Sequence, residues 1–261
     1  MKYGKIAART ALLFVTLGFL AACMVPEKPA AADTRKAVER RVSAGLEYLR
    51  TGSPSDARRH ISSALELDSR SPEAHNAMAL LYRYEQDDKR AEEHFRRAVR
   101  YGDDYAVGQN NYGAFLFHQQ RYREALRQFE AAANNPSYEN RSVAFANKGR
   151  VLMALGEQDQ ALEAFAMVRR LDSQSLTPLI EMGWLYFERN DLRQADAAYQ
   201  EYLRMLEGRR QSARALWLGI RLASRQGDLD RRSSLELALE QRYPDSTEFV
   251  AWRQWIAGGR P

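Results

Sequence analysis

The sequence holds a single cysteine, Cys23, in 261 residues. No disulfide can form within one chain. Histidine is also scarce, at His60, His75, His94 and His118, and none stands at metal-ligand spacing from another histidine or from the cysteine. There is no glycine-rich loop ending in Lys-Ser/Thr, no nucleophile elbow and no dinucleotide fingerprint. Neighbouring carboxylates such as Glu92-Glu93 and Asp87-Asp88 read as solvated pairs rather than acid–base couples. No enzyme, cofactor, metal or small-molecule substrate is therefore expected. Charge of one sign is lacking too: 39 Lys and Arg face 34 Asp and Glu, for a net +5.

Residues 1–22 account for part of that excess. Lys2, Lys5 and Arg9 precede an apolar run over 11–22, too short to span a bilayer and of the size of a signal peptide. Deleting residues 1–22 removes those three cations and no acid, so +5 becomes +2. A nucleic-acid ligand then has no basic stripe to meet. Arg58-Arg59, Arg96-Arg97 and Arg209-Arg210 read as solvated helix faces.

The run ends in Leu20-Ala21-Ala22-Cys23. This resembles the bacterial lipobox, which implies that the chain is cut before Cys23 and that the cysteine carries acyl chains. Several chains at about 0.8 kcal/mol per buried methylene anchor where one would not. The alternative is an ordinary secretory signal with an incidental cysteine. Met24 stands where inner-membrane lipoproteins usually have Asp, so the expectation is the outer membrane, periplasmic face. Residues 23–34, with two prolines and few large side chains, read as the lipidated end and a flexible tether.

What is abundant is a repeat. From Gly113, apolar or small residues follow at Leu116, Ala125, Phe129 and Ala132. Thirty-four residues earlier the marks fall on Ala79, Tyr82, Ala91, Phe95 and Ala98, and 34 earlier again on Gly45, Tyr48, Ala57, Ile61 and Ala64. Downstream they continue at Gly149, Leu152, Ala161, Phe165 and Val168, then at Gly183, Tyr186, Ala195, Tyr199 and Tyr202. A worn sixth copy has Gly219, Leu222, Arg231, Leu235 and Ala238. Steps of three and four put each set on one helical face. A small residue at the crossing lets two helices approach, and the ring sixteen residues on fills the space beside it. Each unit is then a helical hairpin that needs its neighbour to cover its second apolar face.

This signature resembles the tetratricopeptide repeat. The predicted fold is all-α, a superhelical solenoid of six hairpins over 35–244. The expected helices are 35–51 and 54–67, 72–86 and 88–101, 105–119 and 122–134, 140–155 and 158–170, 174–189 and 192–207, 210–226 and 229–242. Residues 245–261 supply a final amphipathic helix with Phe249, Trp252 and Ile256 on one face. It either caps the stack or offers Trp252 and Trp255 to a partner.

In such a solenoid the first helices line the concave wall. Its expected groove carries Val42, Leu46, Leu49, Leu80, Phe117, Met153, Trp184 and Phe187, with Asn76, Arg83, Asn110, Ala114, Ala146, Arg150, Ile180, Leu216 and Ile220 at equivalent positions. A wall this apolar suits a partner's amphipathic helix or extended peptide. The alternative is that a tight superhelix or the final helix buries some of these side chains.

Six such repeats behind a lipobox, with Asn110-Asn111-Tyr112-Gly113-Ala114-Phe115-Leu116 in the third, resemble the type IV pilus biogenesis lipoproteins, the pilotins of the pilus secretin. The resemblance implies a non-catalytic, monomeric outer-membrane protein that binds the secretin and helps it assemble. A lipid-anchored adaptor for cell-wall enzymes or outer-membrane protein assembly is the other reading. Family members often carry cysteines where Phe117 and Val151 stand, so this chain relies on packing in place of that staple.

Overall fold

The computed structural model describes residues 31–259, so the signal segment, Cys23 and the last two residues lie outside the described residues. Thirteen helices and no strand occur among them. In order these are α1 (Ala31–Arg50), α2 (Pro54–Leu67), α3 (Pro72–Tyr84), α4 (Asp88–Tyr101), α5 (Ala106–His118), α6 (Tyr122–Asn134) and α7 (Arg141–Ala154). There follow α8 (Gln158–Leu171), α9 (Thr177–Glu188), α10 (Leu192–Leu206), α11 (Ala213–Gln226), α12 (Leu229–Arg242) and α13 (Thr247–Ala257). The first twelve pair as six antiparallel hairpins, and each hairpin packs on the next. The sequence boundaries hold to within three residues except at the start. There α1 begins at Ala31, so Ala31 to Thr34 form a helical turn rather than the end of a tether.

The ends of the helices follow from local chemistry. Ser71, Asp87, Asp191, Ser212, Asp228 and Ser246 each accept a hydrogen bond from an amide of the first turn that follows. Pro54, Pro72 and Pro178 sit in first turns, where no intrahelical N–H is needed. Each hairpin turns through one left-handed residue: Gly52, Gln86, Gln120, Gly156, Asn190 and Gly227. The next amide donates back across the turn, Asp87 N to Tyr82 O at 2.9 Å and Arg121 N to Leu116 O at 2.9 Å, with equivalent bonds in the other four. This satisfies carbonyls the helix end would otherwise leave open.

The small residue and the ring then set how closely the two helices of a hairpin meet. A Cβ placed on Gly113 would lie 2.8 Å from the ring of Phe129, and one on Gly149 would lie 2.7 Å from that of Phe165. Phe95, Phe129, Phe165 and Tyr199 are at most 2% exposed. Each contributes about 1.5–3 kcal/mol by leaving water.

The fifth copy departs from this scheme. The neighbour of Gly183 is Leu218, while the Tyr199 ring lies under Gly219 of the following repeat, its Cζ 2.7 Å from where a Cβ would be. The Tyr199 hydroxyl explains the shift, because it donates to Gln211 Oε1 at 2.7 Å in the loop ahead. In the sixth copy Arg231 takes the place of the small residue. Its guanidinium lies 5.3 Å from the Tyr199 ring centre, and α12 consequently buries only Leu239. α13 packs on α11 and buries Trp252 and Trp255, which closes the end of the stack.

Candidate functional site

Successive first helices touch along the stack, α1 on α3, α3 on α5, α5 on α7, and α9 on α11. From α1 to α7 they form a continuous wall. Five of the eight expected groove residues stay partly exposed on it: Leu46, Leu49, Leu80, Phe117 and Met153. Val107 and Val143, at equivalent places on α5 and α7 seven residues before Ala114 and Arg150, are 41% and 46% exposed. A cavity of about 110 Å³ opens between α5 and α7, bounded by Ala114, Phe117, His118, Phe129, Asn147 and Arg150.

The other three do not line an open wall. Val42 is buried in the cluster shared by the first two hairpins, with Ile61 and Met78. Trp184 and Phe187 are 7% and 8% exposed. Trp184 packs 5.9 Å from Phe187 and 6.3 Å from Trp217, and its Nε1–H donates to the Arg214 carbonyl at 3.3 Å. The guanidinium of Arg221 sits 5.2 Å from Phe187, 5.2 Å from Trp217 and 5.4 Å from Trp255. Burial depresses its pKa below the usual arginine value, and the three ring faces offset part of the lost hydration. Ile180, Leu216 and Ile220 are buried as well. The open wall is therefore confined to the first four repeats, and the last two are filled by their own rings and by α13.

Carboxamides cross that open wall from repeat to repeat. Asn111 Nδ2 donates to Asn76 Oδ1 at 3.1 Å, and Asn147 Nδ2 donates to Asn110 Oδ1 at 2.9 Å. Asn76 is 3% exposed and Asn110 is half-buried, so the pairs fix the register of α3, α5 and α7 under the apolar side chains. Asn76 and Asn110 were readable as inward positions. Their partners, Asn111 and Asn147, lie 35 and 37 residues away, and a one-helix pattern does not bring them together.

His60 and His94 stand 34 residues apart, so the repeat alone puts both on exposed faces of second helices, but in the structure both are half-buried. His94 is half-buried, with its Nδ1 3.0 Å from that of His75. His75 Nε2–H donates to the Ser69 carbonyl at 3.2 Å, which leaves its Nδ1 to accept from His94. Burial, with His75 and Arg97 nearby, pushes the His94 pKa down to about 4. Burial also lowers that of His75. Among the described residues no group of three or more His, Cys, Asp or Glu is arranged to hold a metal ion.

The tetratricopeptide-repeat family model matches residues 42–106. The chain is 34% identical over 248 residues to the type IV pilus assembly protein PilF of Pseudomonas aeruginosa, covering 94% of this chain and 97% of that one. The solved structure of Pseudomonas aeruginosa PilF superimposes with a TM-score of 0.75 at 33% identity, over 85% of this chain and 99% of that chain. PilW, described as a widely conserved type IV pilus biogenesis factor, superimposes with a TM-score of 0.70 at 26% identity, over 82% of this chain and 97% of that chain. Identity at this level over nearly the whole of both chains, on the same stack of hairpins, makes this chain a member of the type IV pilus biogenesis family of tetratricopeptide-repeat proteins.

Proposed function

We propose that this chain is a non-catalytic pilotin. It is anchored through acylated Cys23 in the outer membrane, faces the periplasm, and holds a segment of the pilus secretin while the secretin reaches that membrane and multimerises. The observation that carries the reading is the open wall of repeats one to four. There Leu46, Leu49, Leu80, Phe117 and Met153 stand at the solvent boundary over a frame of paired carboxamides. Apolar side chains held on a rigid support suit an amphipathic helix or extended strand of a partner. The family's place in pilus biogenesis supports the secretin as that partner.

The lipid supplies the address and the wall supplies the grip, so the two separate experimentally. Cells lacking the gene are complemented with the wild type or with Cys23→Ser, and secretin multimers are quantified in inner- and outer-membrane fractions. The wild type restores multimers to the outer membrane. Cys23→Ser leaves this protein out of that fraction and the secretin misplaced. Normal secretin rings with altered cell-wall cleavage in the deletion strain would point instead to an adaptor for cell-wall enzymes.

A further inference from the structure

A second concavity lies at the edge of the stack between the fifth and sixth hairpins, away from the open wall. It has a volume of about 430 Å³ and is bounded by the α8–α9 loop, the ends of α10 and α12, and the first turn of α11. Its apolar lining comes from Leu176, Ile180 and Leu206. Three guanidinium groups, Arg209, Arg210 and Arg214, line it with only one carboxylate, Glu181.

Those charges are arranged rather than scattered. Glu181, 8% exposed, accepts from Arg214 Nε at 2.8 Å and Nη2 at 2.7 Å. That fork is rigid and leaves Nη1 unused. Trp184 backs the same guanidinium at 5.6 Å. Arg209 donates to the carbonyls of Leu206 and Met205 at 3.0 and 2.9 Å, which leaves its own Nη1. Arg210 is exposed. The first-turn amides of α11, which have no intrahelical acceptor, add positive potential on the same side.

From this charge balance we infer a peptide-docking pocket, one that takes an acidic–apolar segment of a partner polypeptide. An aliphatic side chain enters between Leu176, Ile180 and Leu206, and the neighbouring carboxylate meets Arg210 and the free edge of Arg214. The volume suits about two residues, at the small end of ligand sites. The inference extends the reading that this chain grips partner polypeptides, but it places a second contact outside the proposed groove.

The probe is a C-terminally amidated heptapeptide with one aspartate–leucine pair among glycines and serines, titrated into the isotope-labelled protein. Amide shifts at Ile180, Leu206 and Arg214 are expected. The asparagine counterpart should bind about tenfold more weakly, the size of one charge-assisted contact. Arg210→Gln, a change at an exposed residue, should erase most of that difference at an unchanged melting temperature. Phe117→Glu, in the other groove, should leave it intact, so failure here and failure of the pilotin reading are distinguishable. Equal binding of the two peptides, unchanged binding to Arg210→Gln, or shifts with inorganic phosphate but none with the peptide would overturn the proposal.

Discussion

The Nδ1 atoms of His75 and His94 lie 3.0 Å apart between α3 and α4, with one proton between them. The fold holds both rings neutral, since burial lowers both pKa values and takes His94 to about 4. A depressed folded pKa means that the unfolded chain binds more protons between about 4 and the ordinary histidine value of about 6.5. The pair's contribution is complete above that upper value and is lost as pH falls toward 4. Asp68 and Arg97 are the charges that face His75, and Arg97 also faces His94. Urea midpoints should therefore fall between pH 7 and pH 5. His94→Gln should flatten that slope, because carboxylates contribute mainly below this window.

Gly113 is fixed by the ring of Phe129. A Cβ there would lie 2.8 Å from a phenyl group that is itself 2% exposed. Gly113→Ala gains about 1 kcal/mol of helix propensity but overpacks the crossing, so the net should be a loss of about 1–2 kcal/mol. Thermal unfolding measures it, and adding Phe129→Leu should return most of the loss. A more stable Gly113→Ala protein would mean that the ring yields freely.

The turns offer the opposite sign. Gln86 and Gln120 hold φ values of 61° and 58°, in the left-handed region where a Cβ costs about 1–2 kcal/mol. Glycine removes that cost but loses more entropy on folding. Gln86→Gly and Gln120→Gly should each stabilise by about 0.5–1 kcal/mol, additively, since the sites are in different hairpins. Denaturant midpoints check both the sign and the additivity.

Trp255 closes the far end. Its ring is 5.6 Å from Trp217, and it supplies one of the three faces around Arg221. Trp255→Ala should cost about 3 kcal/mol and release α13. Tryptophan emission from Trp184 and Trp217 should shift to the red as water reaches them. Emission and stability both unchanged would mean that α13 does not seal the stack.

Much of this architecture was legible in the sequence because repeats restate it. Spacings of three, four and thirty-four fix helices, faces and hairpins together, and the turn residues mark the ends. What the sequence hid are contacts, between repeats or across one hairpin, that obey no period. Trp184 and Phe187 look inward-facing from their own helix, and only the packing of α11 on α9, with Trp217 beside Trp184 and Arg221 over Phe187, shows them covered. His75 and His94 meet across a hairpin at a separation of 19 residues, which no one-helix pattern displays. Tyr199 keeps its place in the repeat yet serves Gly219, because its hydroxyl has a partner ahead. Leu46, Leu49, Leu80, Phe117 and Met153 stay partly exposed on their helices, but how far that open surface runs depended on knowing what fills its end.

The open wall of the first four repeats is the central claim, and variants on that wall test it most directly. Met153→Glu and the exposed Val143→Glu are expressed in the deletion strain at wild-type levels, with melting temperatures measured in parallel. Secretin multimers should be lost from the outer membrane while both variants stay folded and membrane-bound. Wild-type amounts of multimer in both variants would contradict it.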